Sequence, residues 1–173
     1  MDYKTIQNYF QILEETYIGF FLESFSKSVR KSQRQSPKFY FFDPGVVRAI
    51  EGKLTVPLQK QSSDFGNAFE SWFINECHRL NSYLELDYKF SYLRTKDDVE
   101  IDLIIERPNG SMALVEIKST ERIDDRHLRH LLHFEKDFPK AQLICISQEK
   151  QAKKVGRVSV LPWQMAWKEL GFQ

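Results

Sequence analysis

This 173-residue chain has almost no net charge and only two cysteines. Lys and Arg number 25 against 24 Asp and Glu, for a formal charge of +1. No global field therefore draws the protein to a polyanion, and any nucleic-acid contact must come from local patches. Cys77 and Cys145 sit among apolar neighbours, which speaks against a disulfide framework or a thiolate zinc site and predicts two buried thiols. No apolar run approaches the roughly 18 residues of a membrane helix, and no secretory leader opens the chain. The cytoplasm is the expected compartment, with no membrane partner. No G-x-x-x-x-G-K-[ST] occurs, so no Walker A loop and no ATP site can be read. Aromatic material is plentiful: fourteen Phe, seven Tyr and three Trp. The length suits one domain plus a small appendage. A chain of this size can bury about 70% of its unfolded surface, enough for a core without covalent staples.

The most informative stretch is a hairpin. Val99 to Glu106 and Met112 to Lys118 read as two strands joined by Arg107-Pro108-Asn109-Gly110-Ser111. Pro108 suits the second position of a type I turn and Gly110 the left-handed position after it, giving a three-residue loop with a bulge. Arg107 then pairs with Ser111. Ile101 meets Ile117, Leu103 meets Val115 and Ile105 meets Ala113 on one apolar face. On the other face Glu100 meets Lys118 and Asp102 meets Glu116. A two-residue turn at Asn109-Gly110 would shift the register by one and mix the faces.

That register opposes two carboxylates. At about 5 Å they repel by roughly 3 kcal/mol at an effective dielectric near 20. A divalent cation between them reverses the sign, and Mg²⁺ commonly takes one or two carboxylates plus waters and substrate phosphates. Asp102, Glu116 and Lys118 are thus the parts of a metal-assisted phosphodiesterase site. The plainer alternative is a solvated face of an edge hairpin, and for Glu100 with Lys118 a simple cross-strand ion pair is expected.

Around the hairpin, residues 4 to 17 read as a helix, with Ile6, Phe10, Leu13 and Tyr17 at helical spacing and Thr5 as its cap. Residues 18 to 25 and 38 to 43 read as strands. Between them lies a basic loop with Lys27, Arg30, Lys31 and Arg34, either a phosphate-contacting wing or a plain polar loop. Helix, strand, basic loop and strand make the back half of a winged helix. A short helix follows from Pro44 to about Gly52, then a loop over 53 to 63. Asp64 is expected to cap a helix from Phe65 to about Leu80, with Phe69, Trp72, Phe73, Cys77 and Leu80 as its buried stripe and Glu70 beside it. Leu86 to Leu93 reads as a strand. A helix from Asp124 or Asp125 to about Phe138 precedes a buried strand over Gln142 to Ser147, whose surroundings suggest parallel pairing. Residues 148 to 156 read as a polar stretch, 157 to 161 as a strand, and Pro162 opens a last helix whose Trp163 and Trp167 are expected to pack in the core. His127, His130 and His133 drift around a helix axis and lack a completing ligand, so they are taken as surface or satisfied groups.

Asp102 followed across a hairpin by Glu116-Ile117-Lys118 resembles the PD-(D/E)XK nuclease superfamily, which also places an acidic residue on a preceding helix, here Glu70. More of the chain resembles a C-terminal domain of unknown function in predicted prokaryotic AAA+ family ATPases. Lys4-Thr5-Ile6-Gln7-Asn8-Tyr9, Lys38-Phe39-Tyr40-Phe41-Phe42-Asp43-Pro44-Gly45-Val46, Gly66, Phe69-Glu70, Glu100-Ile101-Asp102 and Val115-Glu116-Ile117-Lys118 carry that resemblance. It implies an α/β fold, a restriction-endonuclease-like mixed sheet flanked by helices over residues 51–173, preceded by a partial winged helix over residues 1–50. It implies Mg²⁺ or Mn²⁺ on Asp102 and Glu116, with Glu70 bound directly or through water, and Lys118 acting on the attacking water. The implied substrate is DNA, with RNA second. The implied partner is an upstream ATPase module, with this chain as the C-terminal part of a longer protein. Homo-oligomer formation is compatible with the sequence. The alternative function is a non-catalytic module of that ATPase which binds nucleic acid or protein, because a fold does not fix a function.

Overall fold

The structure, a computed structural model, describes residues 2–25 and 36–173. Helix α1 spans Tyr3–Glu15, strand β1 Gly19–Ser24, β2 Lys38–Phe41, α2 Pro44–Ile50, α3 Ser63–Tyr83, β3 Lys89–Arg94, β4 Glu100–Glu106, β5 Met112–Ile117, α4 Asp125–His133, β6 Gln142–Ser147, β7 Lys153–Val155, β8 Val158–Pro162 and α5 Trp163–Leu170. The strands form one eight-stranded sheet in the order β2-β1-β3-β4-β5-β6-β8-β7. Pairing is mixed: β1/β2, β3/β4, β4/β5 and β7/β8 are antiparallel, and β1/β3, β5/β6 and β6/β8 are parallel.

The predicted hairpin forms, with Leu103 opposite Val115, Ile105 opposite Ala113 and Glu106 opposite Met112. Its turn is the three-residue one. Arg107 N donates to Ser111 O and Gly110 N to Arg107 O, both at 2.9 Å, with Gly110 at φ +79°. The faces of the hairpin differ from the one apolar and one polar face that alternation predicts. The hairpin occupies the middle of the sheet, and both faces are covered. Leu103, Ile105, Val115 and Ile117 pack with Phe73, Ile74 and Cys77 of α3 and with Ala166 and Leu170 of α5. Ile104 and Leu114 pack on the opposite side with Leu128 and Leu131 of α4, as do Leu143, Cys145, Val158 and Val160. This two-sided burial explains why β4 and β6 read as near-continuous apolar runs.

Ile101 lies in the α4-side core with Ile104, not with Leu103. The cause is a register shift between β3 and β4. Ser91 faces Ile104 while Leu93 faces Ile101, so Tyr92 alone answers both Asp102 and Leu103. The extra residue on β4 is a β-bulge, which breaks the period-two alternation and re-aims the side chain at that point. Asp102 occupies it.

Other local expectations change for equally local reasons. Ser62, not Asp64, caps α3, its hydroxyl accepting from Phe65 N at 3.1 Å. Asp2, not Thr5, caps α1. Helix α4 ends at His133, well before Pro139. Residues 153–155, read as part of a polar stretch, form edge strand β7 because β8 offers them a free ladder. The parallel placement of β6, the buried free thiols and the packing of Trp163 and Trp167 against Trp72 all match the sequence reading. Among the described residues no helix is long and apolar enough to cross a membrane.

The described residues before position 50 share the sheet. Helix α1 leads into the antiparallel pair β1/β2, and β1 runs parallel to β3. His78 of α3 stacks on Phe20 of β1 at 4.1 Å, and burial holds its pKa below the usual histidine value. A depressed histidine pKa means that the unfolded chain binds the proton more readily. Stability from this contact is complete above the unfolded value near 6.5 and is lost as pH falls below it. His78 therefore contributes a drop in melting temperature between pH 7.5 and 5, opposite in sign to the contribution of the Asp102 carboxyl. In His78→Phe, which keeps the stack without the proton, that part of the drop should disappear; an unchanged pH profile would rule out His78 as its source.

Candidate functional site

The site lies where β4 and β5 part. Their backbone ladder runs from Glu106/Met112 to Leu103/Val115. Beyond it the Ile117 N–H donates to Asp102 Oδ2 at 2.7 Å. A buried amide needs an acceptor, and here a carboxylate supplies it. Lys118 N then bonds to Ile146 O at 2.9 Å, continuing β5 beside β6. Glu116, Ile117 and Lys118 thus sit at the carboxyl end of β5, a position where α/β sheets commonly place ligands.

The carboxylates here are buried, which removes the solvated-face alternative. Asp102 is 7% exposed and Glu116 1%. Lys118 Nζ lies 2.6 Å from Glu116 Oε1 and 3.9 Å from Asp102 Oδ2, with its side chain 30% exposed. Glu116 Oε2 is buried and has no hydrogen-bond partner. His130 of α4 places Nδ1 3.3 Å from Glu116 Oε1.

On the α3 side, Tyr40 OH donates to Glu70 Oε1 at 2.9 Å. Lys38 Nζ stands 3.5 Å from the same oxygen and also pairs with Glu100. The expected ion pair of Glu100 with Lys118 does not form. Glu100 lies opposite Arg94 of β3 and pairs with Arg94 and Lys38, because the bulge on β4 breaks the alternation that would have carried it towards Lys118.

The electrostatics show excess negative charge at the centre. Burial, then Glu116 and Glu70, push the Asp102 carboxyl well above the usual carboxylate range, against the pull of Lys118 and the Ile117 N–H. Burial works against the Lys118 ammonium, but Asp102 and Glu116 outweigh it and leave the pKa raised. Lys38 behaves in the same way under Glu70 and Glu100. Burial and then Glu70 push the Tyr40 phenol up, and burial with Glu116 drives the Cys145 thiol to about 12. Carboxylates that share a site raise one another's pKa in this manner.

The donors fit a hard divalent cation in part. Oxygen ligands are what Mg²⁺ and Mn²⁺ prefer, and the bare Glu116 Oε2 is a buried polar atom waiting for a partner. Among the described residues no group of three or more His, Cys, Asp or Glu is assembled to hold a metal. Two carboxylates completed by waters still suffice for Mg²⁺.

Of the sequence-predicted residues, Asp102, Glu116 and Lys118 come together directly. Glu70 acts on Asp102 through its charge while its own oxygen is held by Tyr40 and Lys38. The basic set Lys27, Arg30, Lys31 and Arg34 lies outside the described residues. Sequence reasoning gave no role to Lys38, Tyr40 or His130. Lys38 and Tyr40 point to one face of β2 by simple alternation, which was a usable signal. His130 left none, because its neighbours on the helix behave as expected. His127 closes a capping box with Asp124, and His133 meets the edge of Phe134.

No curated protein and no solved structure matches the chain. Residues 1–56 match the domain of unknown function DUF8612, and residues 65–166 match the domain of unknown function DUF4143. The second match spans more than half of the 173 residues, so the chain belongs to the DUF4143 family, which occurs in proteins associated with AAA ATPases.

Proposed function

We propose that this chain is a divalent-metal-dependent phosphodiesterase of the PD-(D/E)XK nuclease type, acting on nucleic acid, DNA before RNA, as the C-terminal part of an AAA+ ATPase. The observation that carries the proposal is the pair of buried carboxylates at the end of β5, one with an oxygen left bare and the other penalised for ionising, with a lysine on both. Most buried polar atoms are hydrogen-bonded, and Glu116 Oε2, unlike the equally bare Asn75 Oδ1 and Ser91 Oγ, belongs to a carboxylate beside a second carboxylate and a lysine.

In this reading Asp102 and Glu116 would hold Mg²⁺ or Mn²⁺, with the Ile117 carbonyl available and Glu70 reaching it through water. The metal would supply Lewis acidity and a lowered pKa for coordinated water. Lys118 keeps its proton, since its pKa is raised. It therefore acts as a cation: it orients the attacking water and stabilises charge on the phosphorane oxygens. The water oxygen bonds to phosphorus as one ester P–O bond breaks; the proton the water gives up passes to solvent, and the leaving oxygen takes up a proton from solvent. The basic segment with Lys27, Arg30, Lys31 and Arg34 joins β1 to β2. In this reading residues 1–50 would act as a partial winged helix, and the segment would contact phosphates as its wing.

The test is calorimetric titration of Mn²⁺ into the wild type, with metal-dependent nicking of supercoiled plasmid. Saturable binding together with nicking is the expected result. Binding without nicking of DNA or RNA would remove the hydrolytic assignment. No binding would replace the proposal with a non-catalytic nucleic-acid- or protein-binding module of the ATPase.

A further inference from the structure

Glu116 is held asymmetrically. Oε1 faces both Lys118 Nζ at 2.6 Å and His130 Nδ1 at 3.3 Å, whereas Oε2 is buried and bare. Helix α4 is firmly placed. Leu128 and Leu131 are buried in the core on either side of His130, and the Asp124–His127 capping box fixes the helix start. The backbone that carries the imidazole is thus anchored. The second group on Oε1, the Lys118 ammonium, is divided between Glu116 and Asp102 and is partly exposed.

From this asymmetry we infer that His130 is a positioning residue: its imidazole pins Glu116 Oε1, so that Oε2 alone is presented to a divalent cation. The inference rests on the metal-dependent reading above and deepens it. The contact needs the proton on Nδ1, a donor geometry that metal-ligating carboxylates commonly receive from the shell behind them. Lys118 cannot hold the orientation alone, because it also serves the water and the phosphate. One-oxygen ligation by Glu116 leaves coordination positions for waters and a phosphate oxygen, which an octahedral Mg²⁺ or Mn²⁺ requires.

Three variants of the full chain test this. His130→Asn puts an amide nitrogen where Nδ1 stood, since both lie three bonds from Cα. His130→Gln moves the donor one bond further out, and His130→Leu removes it. Mn²⁺ affinity is measured by calorimetry, and thermal melts without metal report the fold. Leu and Gln should weaken Mn²⁺ binding by about 10- to 100-fold, the usual effect of losing a partner behind a metal ligand, while Asn should restore most of the affinity. If the Leu variant does not fold, the Gln variant decides. Wild-type affinity in the Leu or Gln variant overturns the inference and leaves the metal site standing. Equal losses in folded Asn, Gln and Leu variants also overturn it, because a donor at the Nδ1 position would then not matter. Absence of Mn²⁺ binding by the wild type overturns the metal reading and this inference together.

Discussion

Replacing Lys118 with methionine should both abolish hydrolysis and destabilise the fold, and Mn²⁺ should repair only the second defect. Lys118 is the cation nearest to two buried carboxylates. Removing one partner from a buried charge cluster costs about 3 kcal/mol, the low end of the usual range, because this amine is partly exposed. For a chain of this length that lowers the melting temperature by roughly 6–12 °C. The loss should shrink at mildly acidic pH, where Asp102 can take a proton. A cation bound between the carboxylates replaces the missing charge. Saturating Mn²⁺ should therefore raise the melting temperature of Lys118→Met by more than it raises that of the wild type, where the metal competes with the ammonium. Binding at a hundred times Kd contributes about 2.7 kcal/mol. Hydrolysis should stay lost, since the missing donor to the transition state is worth about 10²–10³ in rate. A Lys118→Met variant that melts like the wild type would show that the carboxylates are not held ionised by Lys118.

Asp102→Asn should have the opposite effect on stability and the same effect on function. The Asp102 carboxyl titrates well above the carboxylate range because of burial, Glu116 and Glu70. The folded state therefore binds its proton more tightly than the unfolded chain does. Stability falls as pH rises from about 4, the unfolded value, towards the native pKa. Asparagine removes the charge and keeps an oxygen to accept from the Ile117 N–H. At pH 7.5 the variant should melt above the wild type, by about 2–4 °C for each kcal/mol recovered, and the gap should close as pH approaches 4. Mn²⁺ binding and plasmid nicking should both disappear. A lower melting temperature in Asp102→Asn at pH 7.5 would mean that the ion pair with Lys118 outweighs the burial cost. The site would then be a stabilising structure and not one kept at the expense of stability.

The hairpin shows how far a sequence can be read. The Pro108–Gly110 turn and the alternation of Leu103, Ile105, Ala113 and Val115 carry the register of β4 and β5, because both are local constraints between adjacent strands. The same pattern misplaced Ile101 and paired Glu100 with Lys118. The β-bulge arises from pairing with β3, and no residue within the hairpin announces it. Helix ends moved as well. Ser62 and Asp64 are both good caps; Ser62 takes the role, with extended backbone at φ −85° and ψ 158°, and Asp64 falls inside the first turn.

Sequence alone determined on which elements the candidate residues sit: Asp102, Glu116 and Lys118 on one hairpin and Glu70 on the helix before it. Those assignments rest on short-range geometry, the period of a strand and the conformation of a turn. The tertiary structure decided that these charges are buried, that Asp102 sits in a bulge, and that Lys38, Tyr40 and His130 stand behind them. Each of those depends on elements far apart in the chain meeting at one end of a sheet. Contacts of that kind follow from how β2, α3 and α4 pack against the sheet, and the residues that make them look ordinary in their own segments.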